Sequence, residues 1–211
     1  MKILEVLELS IPTVRVIRFA RFCDHRGYFT EPFRKSQLSE EVPFMRGVEF
    51  VQGNESYSKA GVVRGLHFQW NPFMGKLVRT IHGRMVDVFL DIRMGSPTFG
   101  KAAAYELVAN PEMDYGEWIW VPPGIAHGNF FIHDTTIEYL CSGEYSPGCE
   151  AGISPLAADI DWSRCDPDLK TEFDAVVQNR ELMTEKDING LSVQAWASDA
   201  RSAHFQYEDL K

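Results

Sequence analysis

The segment Arg64-Gly65-Leu66-His67-Phe68-Gln69, followed by Lys76 at the head of the next strand-like run, holds the most chemically loaded side chains of the sequence. An imidazole can take or give a proton near neutral pH, and an ammonium can neutralise an oxyanion as it forms. One strand-loop-strand unit apart, the two suit carbanion chemistry beside a carbonyl. A histidine alone in a strand is as a rule a hydrogen-bonded packing residue, so His67 stands out only through its company. On a regular strand His67 and Gln69 share one face, while Arg64, Leu66 and Phe68 share the other. Arg64 and His67 then serve one cavity only where Gly65 permits a bulge or twist; otherwise Arg64 points elsewhere.

Histidines in a β-rich chain raise the question of a metal, whose site would combine a His-x-His pair, a nearby Glu and a later His. Here Phe68-Gln69 follows His67, and Lys76 brings positive charge where a cation would want an acceptor, so no metal is expected. His127, in Pro122-Pro123-Gly124-Ile125-Ala126-His127-Gly128, reads as part of a rigid turn that aims it at a cavity. Tyr139 and Tyr145 lie on a stretch that spans about 20 Å when extended, comparable with a nucleotide-sugar. One could work at a sugar while the other stacks on a base, and a bend at Ser142-Gly143 would shorten the reach.

These side chains need a scaffold, and the first two thirds of the chain describe one. Up to about residue 145 the pattern has period two, broken by turn residues. It is clearest in Arg84 to Ile92, where Val86, Val88, Leu90 and Ile92 alternate with Met85, Asp87, Phe89 and Asp91. His82-Gly83 before it reads as a hairpin turn. Further strands are expected at Val14 to Phe19, Gly47 to Gln52, Val62 to Phe68, Leu77 to Ile81, Ala102 to Val108, Trp118 to Val121, Phe130 to Ile132 and Thr136 to Cys141. Many short strands with little helix predict an all-β jelly roll or related double-sheet barrel. Residues 146 to 161 read as a long surface loop, Asp168 to Asn179 as a helix, and Thr184-Glu185-Lys186-Asp187 as the start of a short one. This gives a single domain over 1–190 with a helical appendage at its end, and a tail over 191–211 whose role the sequence leaves open.

Composition bounds the partners. Of 211 residues, 45% are hydrophobic and 24% charged, enough for one sizeable core under a polar surface. The net charge of -9 disfavours long nucleic acids and anionic membranes, so an anionic ligand needs a local basic cluster. Glu5 and Glu8 interrupt what would have to be the apolar core of a signal peptide. No run approaches the ~18 apolar residues of a membrane span. A cytoplasmic location is the default. Cys23, Cys141, Cys149 and Cys165 lack metal-ligand spacing and read as free thiols.

Seven stretches, taken in order, resemble the dTDP-4-dehydrorhamnose 3,5-epimerase family. They are Asp24-His25-Arg26-Gly27-Tyr28-Phe29-Thr30-Glu31, Gln52 to Ser56, Arg64 to Gln69, Asp91-Ile92-Arg93 with Ser96 to Gly100, Pro122 to Gly128, Tyr139 to Tyr145, and Glu185-Lys186-Asp187. The resemblance implies a cupin-type jelly roll that works as a homodimer, without metal or organic cofactor, on a dTDP-linked 4-keto-6-deoxyhexose. It makes His67 the general base, Asp187 its orienting partner, Tyr139 the general acid on the opposite face and Lys76 the cation for the enolate. It puts Arg26, Glu31, Gln52, Asn54, Arg64, His127 and Glu150 on substrate-binding positions and Tyr145 on the thymine-stacking one. It further implies that Arg26 and Glu31 reach the neighbouring subunit's site.

The chain departs from the resemblance in its loop Trp70-Asn71-Pro72-Phe73-Met74-Gly75, which is bulky, and in a long tail beyond Asn189. The competing readings are a 3-epimerase or ketoisomerase of a related dTDP-deoxysugar, and a non-catalytic sugar-nucleotide-binding jelly roll in which His67 and Tyr139 only hydrogen-bond the ligand.

Overall fold

The computed structural model describes residues 1–210 of the chain. It opens with β1 (Ile3–Glu8), β2 (Arg15–Ala20), the short pair β3 (Phe22–Asp24) and β4 (Gly27–Phe29), and helix α1 (Lys35–Glu41). There follow β5 (Gln52–Ser58), β6 (Val63–Gln69), β7 (Lys76–His82), β8 (Arg84–Asp91) and β9 (Ala102–Val108). Next come β10 (Tyr115–Val121), β11 (Ile125–Phe131), β12 (Thr135–Cys141) and β13 (Glu150–Gly152), then α2 (Pro167–Val176), α3 (Glu185–Ile188) and α4 (Val193–Ala197). Among the described residues the strands form a six-stranded sheet in the order β1-β2-β10-β7-β12-β5, a five-stranded sheet in the order β13-β6-β11-β8-β9, and the β3–β4 ribbon.

Alternation along each strand sorts the side chains between three apolar layers. Met85 and Phe89 of β8 pack between the sheets with Val16, Val78, Ile119 and Ile137 of the facing sheet. Val86, Val88 and Leu90 belong instead to a layer with Phe173, Val193, Trp196 and Phe205, the helices and turns that follow the last strand. On the far side, Leu38 of α1 and Val42, just past its end, cover Ile17, Trp118 and Trp120. Helix α2 starts where the sequence stops competing with it: Pro167 follows Asp166, whose carboxylate accepts from the N–H groups of Asp168 and Leu169.

Several local expectations are corrected. Residues 47–51 are irregular, following a 3-10 turn at Pro43–Met45, and the strand begins only at Gln52. His82-Gly83 is not a hairpin turn, because β7 and β8 lie in different sheets. It is a corner in which Gly83, at φ +86°, passes so close to Asp134 that a Cβ would lie 2.5 Å from its carbonyl oxygen. Residues 146–161 are not simply a surface loop. Glu150–Gly152 pairs with β6, and buried Ile153 exchanges backbone hydrogen bonds of 2.9 and 3.0 Å with Leu66. The exposed edge of β6 had to find partners, and this segment supplies them.

Candidate active site

The register of β6 against β11 pairs His67 with His127 but Arg64 with Asn129, three positions on β6 against two on β11, so β6 bulges by one residue. Gly65 sits in the bulge at φ +110°, and the Gly65–Leu66 peptide is cis. A Cβ on Gly65 would stand 2.5 Å from the Gly128 Cα and 2.8 Å from the His127 carbonyl oxygen. The extra residue brings Arg64 to the side that His67 occupies, and both line one hollow. Arg64 is steadied there by the Ser58 hydroxyl at 2.9 Å and the Tyr57 carbonyl at 3.3 Å.

His67 and Asp187 meet: Nε2 lies 2.6 Å from Oδ1. Asp187 is the third residue of α3, whose N-cap Thr184 accepts from the Asp187 N–H and also donates its hydroxyl to Oδ2 at 2.8 Å. The Gly65 N–H donates to Oδ1 at 3.3 Å. Burial pushes this carboxyl up, but the hydrogen bonds from His67 and Thr184 outweigh it and hold the group below its ordinary range. An ionised Asp187 only accepts, so the Nε2 proton belongs to this bond and Nδ1 is left as the basic nitrogen.

The facing sheet brings up the other groups. Tyr139 of β12 stands opposite Val78 of β7 and Asn54 of β5, and Cys141 opposite Lys76 and Gln52. Lys76, Tyr139, Gln52 and Asn54 all line the space between the sheets. Gln52 donates to the Asn54 side-chain oxygen at 3.2 Å, and Asn54 donates to the Cys141 Sγ at 3.5 Å. Burial lowers the pKa of the Lys76 ammonium, opposed by Cys141, Asp87 and Glu150. Burial raises that of the Tyr139 phenol, which therefore keeps its proton at neutral pH.

His127 lies within β11 rather than in the turn expected of it; the turn ends at Gly124. It is buried, with Nε2 2.7 Å from Asp87 Oδ1, and forms a second imidazole–carboxylate pair beside the first. Asp87 Oδ2 and the neighbouring Asn129 Oδ1 are buried without a hydrogen-bond partner within the protein. At the mouth, Glu150 accepts from the Tyr145 hydroxyl at 2.9 Å and pairs with the Lys186 ammonium at 2.9 Å. Burial raises the Glu150 carboxyl, and these two bonds more than reverse the effect.

Two adjoining hollows result, of 290 and 310 Å³, sharing His67, Lys76, His127 and Tyr139 in their walls. Ten of the residues named from sequence border them: His67, Tyr139, Asp187, Lys76, Gln52, Asn54, Arg64, His127, Tyr145 and Glu150. Arg26 and Glu31 do not. Arg26, with 78% of its side chain exposed, pairs with Asp24, and Glu31 pairs with Arg34 and the amino terminus. Asp87, Asn129, Thr184 and Lys186 also belong to the site, and the sequence reading gives none of them a role in it. Asp87 had a signal, a carboxylate between valines in a strand apolar on both faces. Thr184 had another, as the cap of a helix one turn long. Among the described residues no three His, Cys, Asp or Glu side chains are grouped so as to hold a metal ion.

Two sheets enclosing a polar cavity, with a carboxylate-held imidazole on one and a phenol and a lysine on the other, make a cupin-type jelly roll whose cavity is furnished for proton transfer. The sequence profile of dTDP-4-dehydrorhamnose 3,5-epimerase matches residues 8–194, and the chain belongs to that family. The dTDP-4-dehydrorhamnose 3,5-epimerase of Sinorhizobium fredii is 41% identical over 172 residues, covering 79% of this chain and 85% of the relative. The structure of the 3,5-epimerase from Legionella pneumophila in complex with dTDP-4-keto-L-rhamnose superposes with a TM-score of 0.75 at 28% identity, over 94% of this chain and 96% of that one. A 4-keto-6-deoxy sugar epimerase from the novobiocin gene cluster of Streptomyces spheroides gives 0.76 at 28% identity, over 100% and 96% of the two chains.

Proposed function

We propose that the chain converts dTDP-4-dehydro-6-deoxyglucose to dTDP-4-dehydrorhamnose by inverting C3 and C5 of the sugar. The observation that carries the reading is the placement of His67, held by Asp187, on one sheet, with Tyr139 and Lys76 on the sheet facing it. The C4 ketone acidifies C3–H and C5–H, which in a gluco-configured ring project from the same face, so one base serves both. His67 Nδ1 removes the proton, and the imidazolium that forms is stabilised by the ionised Asp187. The charge moves to the C4 oxygen, where the Lys76 ammonium receives it. Tyr139 returns a proton from the other side, and the carbon is inverted.

The rest of the site serves the nucleotide. Arg64 offers a planar fork to the pyrophosphate. Tyr145, 54% exposed at the mouth, offers its ring to thymine beside Glu150. Gln52, Asn54 and His127 are hydrogen-bonding groups for the sugar. The family's membership and the sugar-nucleotide bound by the Legionella enzyme support this division. The working unit we propose is a homodimer, in which Arg26 and Glu31, too far out to serve their own cavity, complete the partner's.

Incubation with dTDP-4-keto-6-deoxyglucose in deuterated water tests the reading. Deuterium should enter at both C3 and C5, and His67→Asn should abolish this while dTDP still binds. Exchange at C3 alone would make the chain a 3-epimerase, and no exchange at all would leave only a binding protein.

A further inference from the structure

The segment after Ser192 borders neither hollow, yet it underlies one of the walls. Trp196 and Phe205 are fully buried, and the Trp196 indole N–H donates to the Ile92 carbonyl at 3.0 Å. The backbone around Phe205 is pinned through Met94: its N–H donates to the Phe205 carbonyl at 2.7 Å, and its carbonyl accepts from Tyr207 at 3.0 Å. Farther on, Arg93 donates to the Leu210 carbonyl at 3.1 Å. The Phe205 ring is thus fixed by its own segment, and it meets Phe68 and Phe73 edge-on, each at 5.3 Å between centroids, and Trp70 at 6.4 Å.

Trp70 and Phe73 belong to the bulky loop between β6 and β7, which puts Met74 into the cavity wall. That loop is laced to the one after β12. Gln69 donates to the carbonyls of Pro72 at 3.0 Å and Glu144 at 2.9 Å and accepts from the Ser146 N–H at 3.0 Å. Gly75 N–H donates to the Ser142 hydroxyl at 2.8 Å. Tyr145 rides on this second loop. By contrast, Lys76, Tyr139 and His67 sit on strands and are held by sheet ladders.

We infer that Phe205 is a positioning residue for the nucleotide end of the site: it props the paired loops, keeps Met74 and Tyr145 in place, and so sets affinity for the dTDP moiety without setting the rate of proton transfer. The inference rests on the epimerase reading, in which Tyr145 meets the base. A loop pair that kept its binding arrangement only about a tenth of the time would weaken binding about tenfold.

The test uses the full chain with Phe205→Ala, Phe205→Leu and, as a control of similar burial elsewhere in the same apolar layer, Phe173→Ala, whose ring packs on Phe130 and Trp162. dTDP affinity is read by calorimetry and turnover by exchange at C3 and C5, at a temperature where all variants are folded. Phe205→Ala should weaken dTDP binding and raise KM about tenfold with kcat nearly unchanged. Phe205→Leu should recover part of the loss, and Phe173→Ala should lower Tm while leaving dTDP affinity as it was. If Phe205→Ala does not fold, Phe73→Leu trims the same contact from the loop side and carries the same expectation. Unchanged affinity in these variants, an equal loss in Phe173→Ala, or a fall in kcat instead of a rise in KM would overturn the assignment. A parent protein that binds dTDP but exchanges neither proton would overturn the epimerase reading instead.

Discussion

In the reaction proposed above, Lys76 has to be charged when the enolate forms, and its surroundings pull against that charge. Burial lowers its pKa, with Cys141, Asp87 and Glu150 opposing the shift, so the ammonium is lost as pH rises through a value below the ordinary lysine range near 10.4. Turnover should therefore decline on the alkaline side earlier than a free lysine would allow. The Tyr139 phenol, raised by burial, still holds its proton over that interval and is not the source of the decline. Lys76→Arg keeps its charge to much higher pH, so a kcat profile on that variant should have a lower plateau but an alkaline limb displaced upward. Lys76→Met should lose about 10²–10³ in kcat, the usual cost of removing one group that stabilises a developing oxyanion. A limb that stays at the same pH in Lys76→Arg would show that another group titrates there.

The bulge in β6 is the element on which the site's geometry turns. Without it Arg64 would lie on the opposite face from His67; with it, strict alternation resumes on both sides and each residue faces the cavity. Ala at position 65 would have to take φ near +110° with its Cβ 2.5 Å from the Gly128 Cα. We expect Gly65→Ala to cost about 1–3 kcal/mol and to lower kcat more than it raises KM, because β6 would be pushed off β11 where His67 faces His127. Denaturant titration and steady-state kinetics on one preparation measure both. Sequence periodicity shows Gly65 as the place where a strand can break step, but not whether it does, since that depends on the register of a partner some sixty residues away. The same limit explains His82-Gly83, a turn signal read as a hairpin that is a corner between sheets, and Glu150–Gly152, a strand only because the edge of β6 is free to receive it. Local strands such as Arg84 to Asp91 were legible because alternation is a local property. The contact of Asp187 with His67 is not local, and it came from a resemblance to other sequences.

A single protomer holds His67, Tyr139 and Lys76 around one cavity but keeps Arg26 and Glu31 outside it. Their hairpin is also apolar on its surface, with Phe22, Tyr28 and Phe29 exposed by 55, 43 and 70%, which is more than a lone surface ribbon usually presents to water. Both features are resolved if the ribbon docks on a second copy and carries Arg26 to its partner's pyrophosphate. A two-fold dimer of this kind can be tested by mixing inactive parents. Arg26→Ala spoils the partner's site and His67→Asn spoils its own, so a hybrid of the two has one doubly damaged site and one intact one. Random reassociation of equal amounts makes half the dimers hybrid, and about a quarter of all sites should then regain wild-type kcat/KM. Were Arg26 to act within its own protomer, both sites of every hybrid would carry one lesion, and mixing would restore nothing.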